Sequence, residues 1–235
     1  VLRMFHAPGH YVWSCDFSPD GKKIVTAGKF DHVAKIWDVD TGIEIKTYVG
    51  HAGYVEGVCF SPDGTKIVTG SWDGKAKIWD ATGSSNEPIL TLNHDSRIRT
   101  VDFSPDGMKV ATGSLSEGTG SPSVIIWDAS SGAKLVGPIA HSESVSSVKF
   151  SNTDGDILLT GCHDGIARQF DVATGSPIRQ SPNVNYNIFS VAWSPDDEEI
   201  FAGYGINSTE NPFGEAILWT DEFVEKHTFE DLIFH

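Results

Sequence analysis

Residues 55–80 read VEGVCFSPDGTKIVTGSWDGKAKIWD, and the fold is decided there. Short apolar or alternating runs are cut by Asp-Gly at Asp63-Gly64 and Asp73-Gly74. That punctuation is the mark of short antiparallel strands joined by tight hairpins. The spacing predicts strands over about 55–60, 66–70 and 76–79, with a fourth over 89–92. One such four-stranded sheet is too small to stand alone, and both of its faces are apolar, so it needs similar sheets on either side.

The same wording recurs along the chain. FSPDG stands at 17–21, 60–64 and 103–107, followed by the weaker FSNTDG from Phe150 and WSPDD from Trp193. A second marker keeps step with it: Trp37-Asp38, Trp79-Asp80, Trp127-Asp128, Phe170-Asp171 and Trp219-Thr220. Two markers in fixed phase, with a period of about 43 residues, describe five units stacked around a common axis. Helical periodicity is absent, so the class is all-β.

With Gly50-His51, then SPDG, Ser71, Asp73 and Trp79-Asp80 at matching intervals, the sequence resembles the WD-repeat (WD40) family along essentially its whole length. The resemblance implies a single β-propeller domain with five four-stranded blades visible as part of a seven-bladed ring; a closed five-bladed ring is the alternative. The repeats are placed at about 10–49, 50–92, 93–139, 140–180 and 183–229. An outer strand at 1–6 precedes them, and Glu222–Thr228 is expected as the last fourth strand.

The resemblance also implies a structural network in which His51 bonds Asp73 and the chain of contacts continues through Ser71 to the indole N–H of Trp79. Such networks satisfy buried polar atoms and pin a loop to its sheet. This reading takes precedence over a Ser-His-Asp catalytic triad, because a catalytic serine needs access. The other units keep the network unevenly: Lys29 holds the serine slot in unit one, an insertion displaces the aspartate in unit three, and Cys162 and Phe170 replace Ser and Trp in unit four. Unit five has Tyr204 and Val184 where serine and histidine would stand. The later blades are therefore expected to lean on apolar packing and to be softer.

Charge narrows the partners. With 17 Lys+Arg against 32 Asp+Glu, the formal charge is -15, and the molecular field repels phosphate backbones and anionic membranes. Neither direct nucleic-acid binding nor membrane binding is expected. Cys15, Cys59 and Cys162 form no CxxC pair, which suits reduced thiols in an intracellular, cytoplasmic or nuclear, protein. No apolar run approaches the ~18 residues that span a bilayer, and VLRMFHAPGH at the start lacks a secretion-signal pattern. The sequon Asn207-Ser208-Thr209 would matter only in a secreted chain. His51, His94 and His141 lie one to a unit without ligand partners at metal spacing, so no metal and no cofactor is expected.

In the resembling family, the histidine loop and the aspartate turn meet on one face, called the top, where partners dock. Carried over position by position, that face receives Tyr11, Trp13, Tyr54, Glu56, Arg97, Arg99, Ser144, Ser146, Asn187 and Phe189, with Phe30, Trp72 and His163 from the second hairpins. Tyr, Trp and Arg are the residue types enriched at binding hot spots. Two hairpins, Leu115–Pro122 and Ile206–Gly214, are longer than the Trp72-Asp73-Gly74 turn, and Phe213 is the aromatic in the second. The expected function is a non-catalytic scaffold that binds protein or peptide partners as a subunit of a larger complex. The alternatives are an enzyme using Glu56 in the central channel, or a subunit of a nucleic-acid-associated complex.

Overall fold

In the computed structural model, residues 9, 11–116, 120–206 and 213–229 are described. Twenty strands and no helices occur among them, arranged as five four-stranded antiparallel sheets. Each sheet is a simple meander, as hairpin connections of this length require. The first comprises β1 (Val12–Phe17), β2 (Lys23–Gly28), β3 (Val33–Asp38) and β4 (Glu44–Val49). The second comprises β5 (Val55–Phe60), β6 (Lys66–Ser71), β7 (Lys75–Asp80) and β8 (Pro88–Asn93). The third runs from β9 (Ile98–Phe103) through β10 (Lys109–Ser114) and β11 (Ser123–Asp128) to β12 (Lys134–Ala140). The fourth holds β13 (Val145–Phe150), β14 (Ile157–Cys162), β15 (Ala167–Asp171) and β16 (Pro177–Gln180). The fifth holds β17 (Asn187–Trp193), β18 (Glu199–Ile206), β19 (Phe213–Thr220) and β20 (Glu225–Phe229). The proposed outer strand at 1–6 lies outside the described residues.

Consecutive sheets pack face to face, the innermost strand of each lying against the first two strands of the one before. The shared cores are built from these faces; one joins Val25, Ala27 and Ile36 to Val58, Phe60 and Ile67. The chain is thus a run of propeller blades. Among the described residues no extensive contact joins the fifth sheet to the first, so the five blades form an open arc, not a closed five-bladed ring.

The seams between blades carry polar ties as well. Asp16 accepts the N–H of Phe60 at 2.8 Å, and Asp102 accepts that of Phe150 at 2.9 Å while pairing with Lys149 Nζ at 2.8 Å. Lys149 is held protonated to high pH, chiefly by the Asp102 charge, while burial pulls Asp102 itself upward. The FSPDG turns stack similarly. Gly64, Gly107 and Gly155, all at φ +69°, face Pro19, Pro62 and Pro105 of the preceding blade, leaving no room for a Cβ on Gly155, 2.7 Å from Pro105 Cδ. At the last seam, where Asn152 replaces proline and Asp197 replaces glycine, Asp197 instead takes hydrogen bonds from the backbone and side chains of Asn152 and Thr153, all at 2.8–2.9 Å. The later blades therefore do not rest on apolar packing alone: polar ties lost from the interior reappear at the seam.

Candidate interaction face

The face is set by how one loop is fixed. His51, between β4 and β5, places Nδ1 2.9 Å from Asp73 Oδ2, and the same oxygen takes the Ala52 N–H at 3.0 Å. Asp73 Oδ1 takes the Lys75 N–H at 2.9 Å, and Gly74 adopts φ +77° to close the turn. Burial pushes the Asp73 carboxyl up, but the His51 and Ala52 hydrogen bonds more than offset this and hold it at about 2. The β4–β5 loop and the β6–β7 turn are thereby locked together.

The link to Trp79 runs through Thr69 and not through Ser71. Trp79 donates its indole N–H to Thr69 Oγ1 at 2.9 Å, and the Thr69 hydroxyl lies 2.8 Å from His51 Nε2. Ser71, fully buried, donates to Gly53 O and accepts the Asp73 N–H, each at 3.1 Å. Register gives the reason. Ile67 is the cross-strand partner of Trp79, so Thr69 is its diagonal neighbour on the same side, whereas Ser71 lies four residues along, roughly 13 Å at strand rise. Since His51 faces Thr69, the trio His51, Ser71 and Asp73 contains no serine–histidine pair of the kind nucleophilic catalysis requires.

The same hydroxyl recurs. Thr26 receives Trp37 and Thr112 receives Trp127, both at 2.9 Å, and Thr160 lies 3.1 Å from His141 Nε2. In blade four Phe170 offers no N–H, His141 Nδ1 turns to Ile139 O, and Asp164 is taken by Arg168 and Ser142. In blade three His94 is buried away from any such pair, and burial depresses its pKa to about 4.

On this frame the aromatic residues form one strip. Ring centroids step from Tyr11 to Phe30 (5.6 Å), to Tyr54 (5.6 Å), to Trp72 (4.9 Å), and Arg97 lies 4.8 Å over Trp72. Tyr11 and Phe30 are 59% and 60% exposed. Buried Glu56 takes the Trp72 indole N–H at 2.6 Å, fixing the ring in place. Trp13 joins the strip through Lys29, whose Nζ stands 4.1 Å from the Trp13 ring, 5.6 Å from Tyr54 and 5.8 Å from Phe30. Arg99 and Phe189 are not on the strip; with Trp13 and Glu56 they line the axial cleft, about 400 Å³, into which all five innermost strands face. Phe189 packs edge-on against His163 at 5.5 Å, and burial, with Arg99 nearby, lowers His163 to about 4.

Ser144 and Ser146 are buried and internally bonded, Ser144 to Ser116 and Ser146 to Gly161 O and Ile188 O. They offer an incoming partner little. Phe213 begins β19, but its side chain and most of the two long hairpins lie outside the described residues. Lys29 is the residue sequence reasoning passed over. The register corrects its expected place: Gly28 stands in the slot of Ser71, Ser114 and Cys162, and Lys29, whose N–H bonds Tyr11 O, is the equivalent of Trp72, Leu115 and His163. Among the described residues, no three His, Cys, Asp or Glu side chains are grouped so as to hold a metal ion.

Comparison with known proteins agrees with this architecture. The family model described as "WD domain, G-beta repeat" matches residues 2–38, 42–80, 86–128 and 133–171. The fifth unit falls outside the matches yet folds into the same meander. The chain is 26% identical over 229 residues to a guanine nucleotide-binding protein subunit beta of Arabidopsis thaliana, covering 90% of this chain and 60% of that one. It is 27% identical over 204 residues to the U3 small nucleolar RNA-associated protein 15 homolog of Xenopus laevis, covering 86% of this chain and 38% of that one. The chain therefore spans less than two thirds of the length of these relatives. Four matched repeats across more than half of its residues make it a member of the WD domain, G-beta repeat family.

Proposed function

We propose that the chain is a non-catalytic scaffold, binding protein or peptide partners on its top face as a subunit of an intracellular complex. The observation that carries this reading is the strip Tyr11–Phe30–Tyr54–Trp72, large rings in mutual contact of which Tyr11 and Phe30 are more than half exposed and Tyr54 and Trp72 partly so. A contiguous exposed aromatic surface beside cations on a rigid frame is a hot-spot arrangement. One relative is named as a subunit and another as an RNA-associated protein, which agrees with a place in a larger assembly, including one that contains RNA. We also infer that two further blades complete a seven-bladed ring, because the open arc leaves Trp13 and Phe17 of the first blade uncovered.

The test is affinity purification from native extract with the parent chain and with Phe30→Ala and Trp72→Ala variants that unfold at the parent temperature. Partners lost with both variants support the face. An unchanged set of partners overturns it.

A further inference from the structure

We propose that the strip takes an acidic segment of a partner protein, its carboxylates meeting Lys29 and Arg97 and its apolar side chains lying on the rings. The proposal rests on the reading that this face binds partners, and adds the chemistry of what it binds.

Three observations carry it. Several cations of the chain pair with a carboxylate, among them Lys35, Lys149, Arg168 and Lys226. Among the described residues, Lys29 has none within the 4.0 Å of an ion pair. Lys29 is held instead by the rings of Trp13, Phe30 and Tyr54, which position its charge without neutralising it.

Two acids of the same region are engaged from within: Glu56 receives the Trp72 indole, and Asp73 receives His51 and the N–H groups of Ala52 and Lys75.

Length is the third. Three ring-to-ring steps of 4.9–5.6 Å make a track matching about five residues of extended chain. Lys29 stands beside the Phe30–Tyr54 step and Arg97 at the Trp72 end. Alternating acidic and apolar residues present one type to the rings and the other to the cations. A nucleic-acid strand also offers anions and stacking bases, but its continuous phosphate charge meets the repulsion of the whole molecule.

The experiment titrates the full chain with four probes: a short capped peptide alternating glutamate with leucine, its glutamine and lysine counterparts, and single-stranded oligouridine. Binding is read by calorimetry and by tryptophan fluorescence. The glutamate peptide is expected to bind about tenfold or more tighter than the glutamine peptide, to weaken as salt rises, and to lose about tenfold in Lys29→Met, which keeps the aliphatic packing. Equal binding of the glutamine or lysine peptide, no binding of the glutamate peptide, or preferential binding of oligouridine overturns the proposal. Phe30→Ala separates the two readings. If it abolishes charge-independent peptide binding, the face stands and its acidic preference falls; if no probe responds to it, both fall.

Discussion

Blades one and two are written in nearly the same words and live in different surroundings. Phe17 and Phe60 open the same FSPDG motif, yet Phe17 is 59% exposed and Phe60 6%. Strand β5 is buried at all six positions, whereas β1 is mostly exposed. Nothing inside the first two strands of each sheet accounts for the contrast, because their register and the turn between them are alike. What differs is the neighbour: β5 lies against β1 and β2 on one side and β9 on the other, and β1 has only β5. In a stack of repeats, burial is conferred by the adjoining unit, and an end that is not a polar cap remains adhesive.

The largest effect should come from the two phenylalanines themselves. Phe60→Ala is expected to cost about 3–5 kcal/mol in urea unfolding of the chain, and Phe17→Ala no more than about 0.5 kcal/mol. Equal costs would mean that the first blade is covered, and the contrast between the blades would collapse.

Next comes the interior of blade two. Thr69→Val keeps the shape but strips the acceptor from the Trp79 indole and the partner from His51 Nε2, at about 1–3 kcal/mol. Ser71→Ala loses two 3.1 Å bonds between neutral groups, at about 1 kcal/mol. A larger loss from Ser71→Ala in thermal unfolding would return serine to the bridging position.

At the opposite end of the arc, Asp197→Ala releases Asn152 and Thr153 on an exposed seam, with an expected loss of about 0.5–1.5 kcal/mol. Unchanged stability would show that the Asp197 ties contribute nothing to holding the fifth blade.

The most graded effect is in pH. The Asp73 carboxyl is held at about 2 when folded, against 3.8 for an ordinary aspartate, so it contributes stability that is present above pH ~4 and lost as pH falls through about 2. Asp73→Asn should flatten that part of the acid-unfolding curve. A curve parallel to the parent between pH 4 and 2 would place the folded pKa elsewhere.

The fold was legible because two markers in phase leave little choice: FSPDG fixes the hairpin between a blade's first two strands and Trp-Asp the end of the third. Observed strands of blade two extend the expected ones by a residue or two, as at Lys66–Ser71 and Lys75–Asp80. Strand ends are set by hairpin hydrogen bonds that hydropathy does not register. The Thr69 bridge was readable and missed. A threonine recurs at 26, 69, 112 and 160, two places before a slot that changes from Gly28 to Ser71, Ser114 and Cys162, and the unvarying hydroxyl was the better acceptor candidate. The strip could be named residue by residue, but its continuity could not, since ring contacts cross blade seams whose rotation no single repeat encodes. The buried roles of Ser144 and Ser146 were hidden for the same reason.

The ties from Asp16 to Phe60 and from Asp102 to Phe150 share a direction: the acceptor lies in the earlier blade and the donor in the later one. Proline before glycine in the stacked turns follows the same order. As the chain leaves the ribosome, the first three blades therefore already display the proline, and the first and third the carboxylate, that the next must find, a few tens of residues on. Assembly can proceed like the laying of a stair, one tread resting on the last, with no need for the far end of the chain to be present.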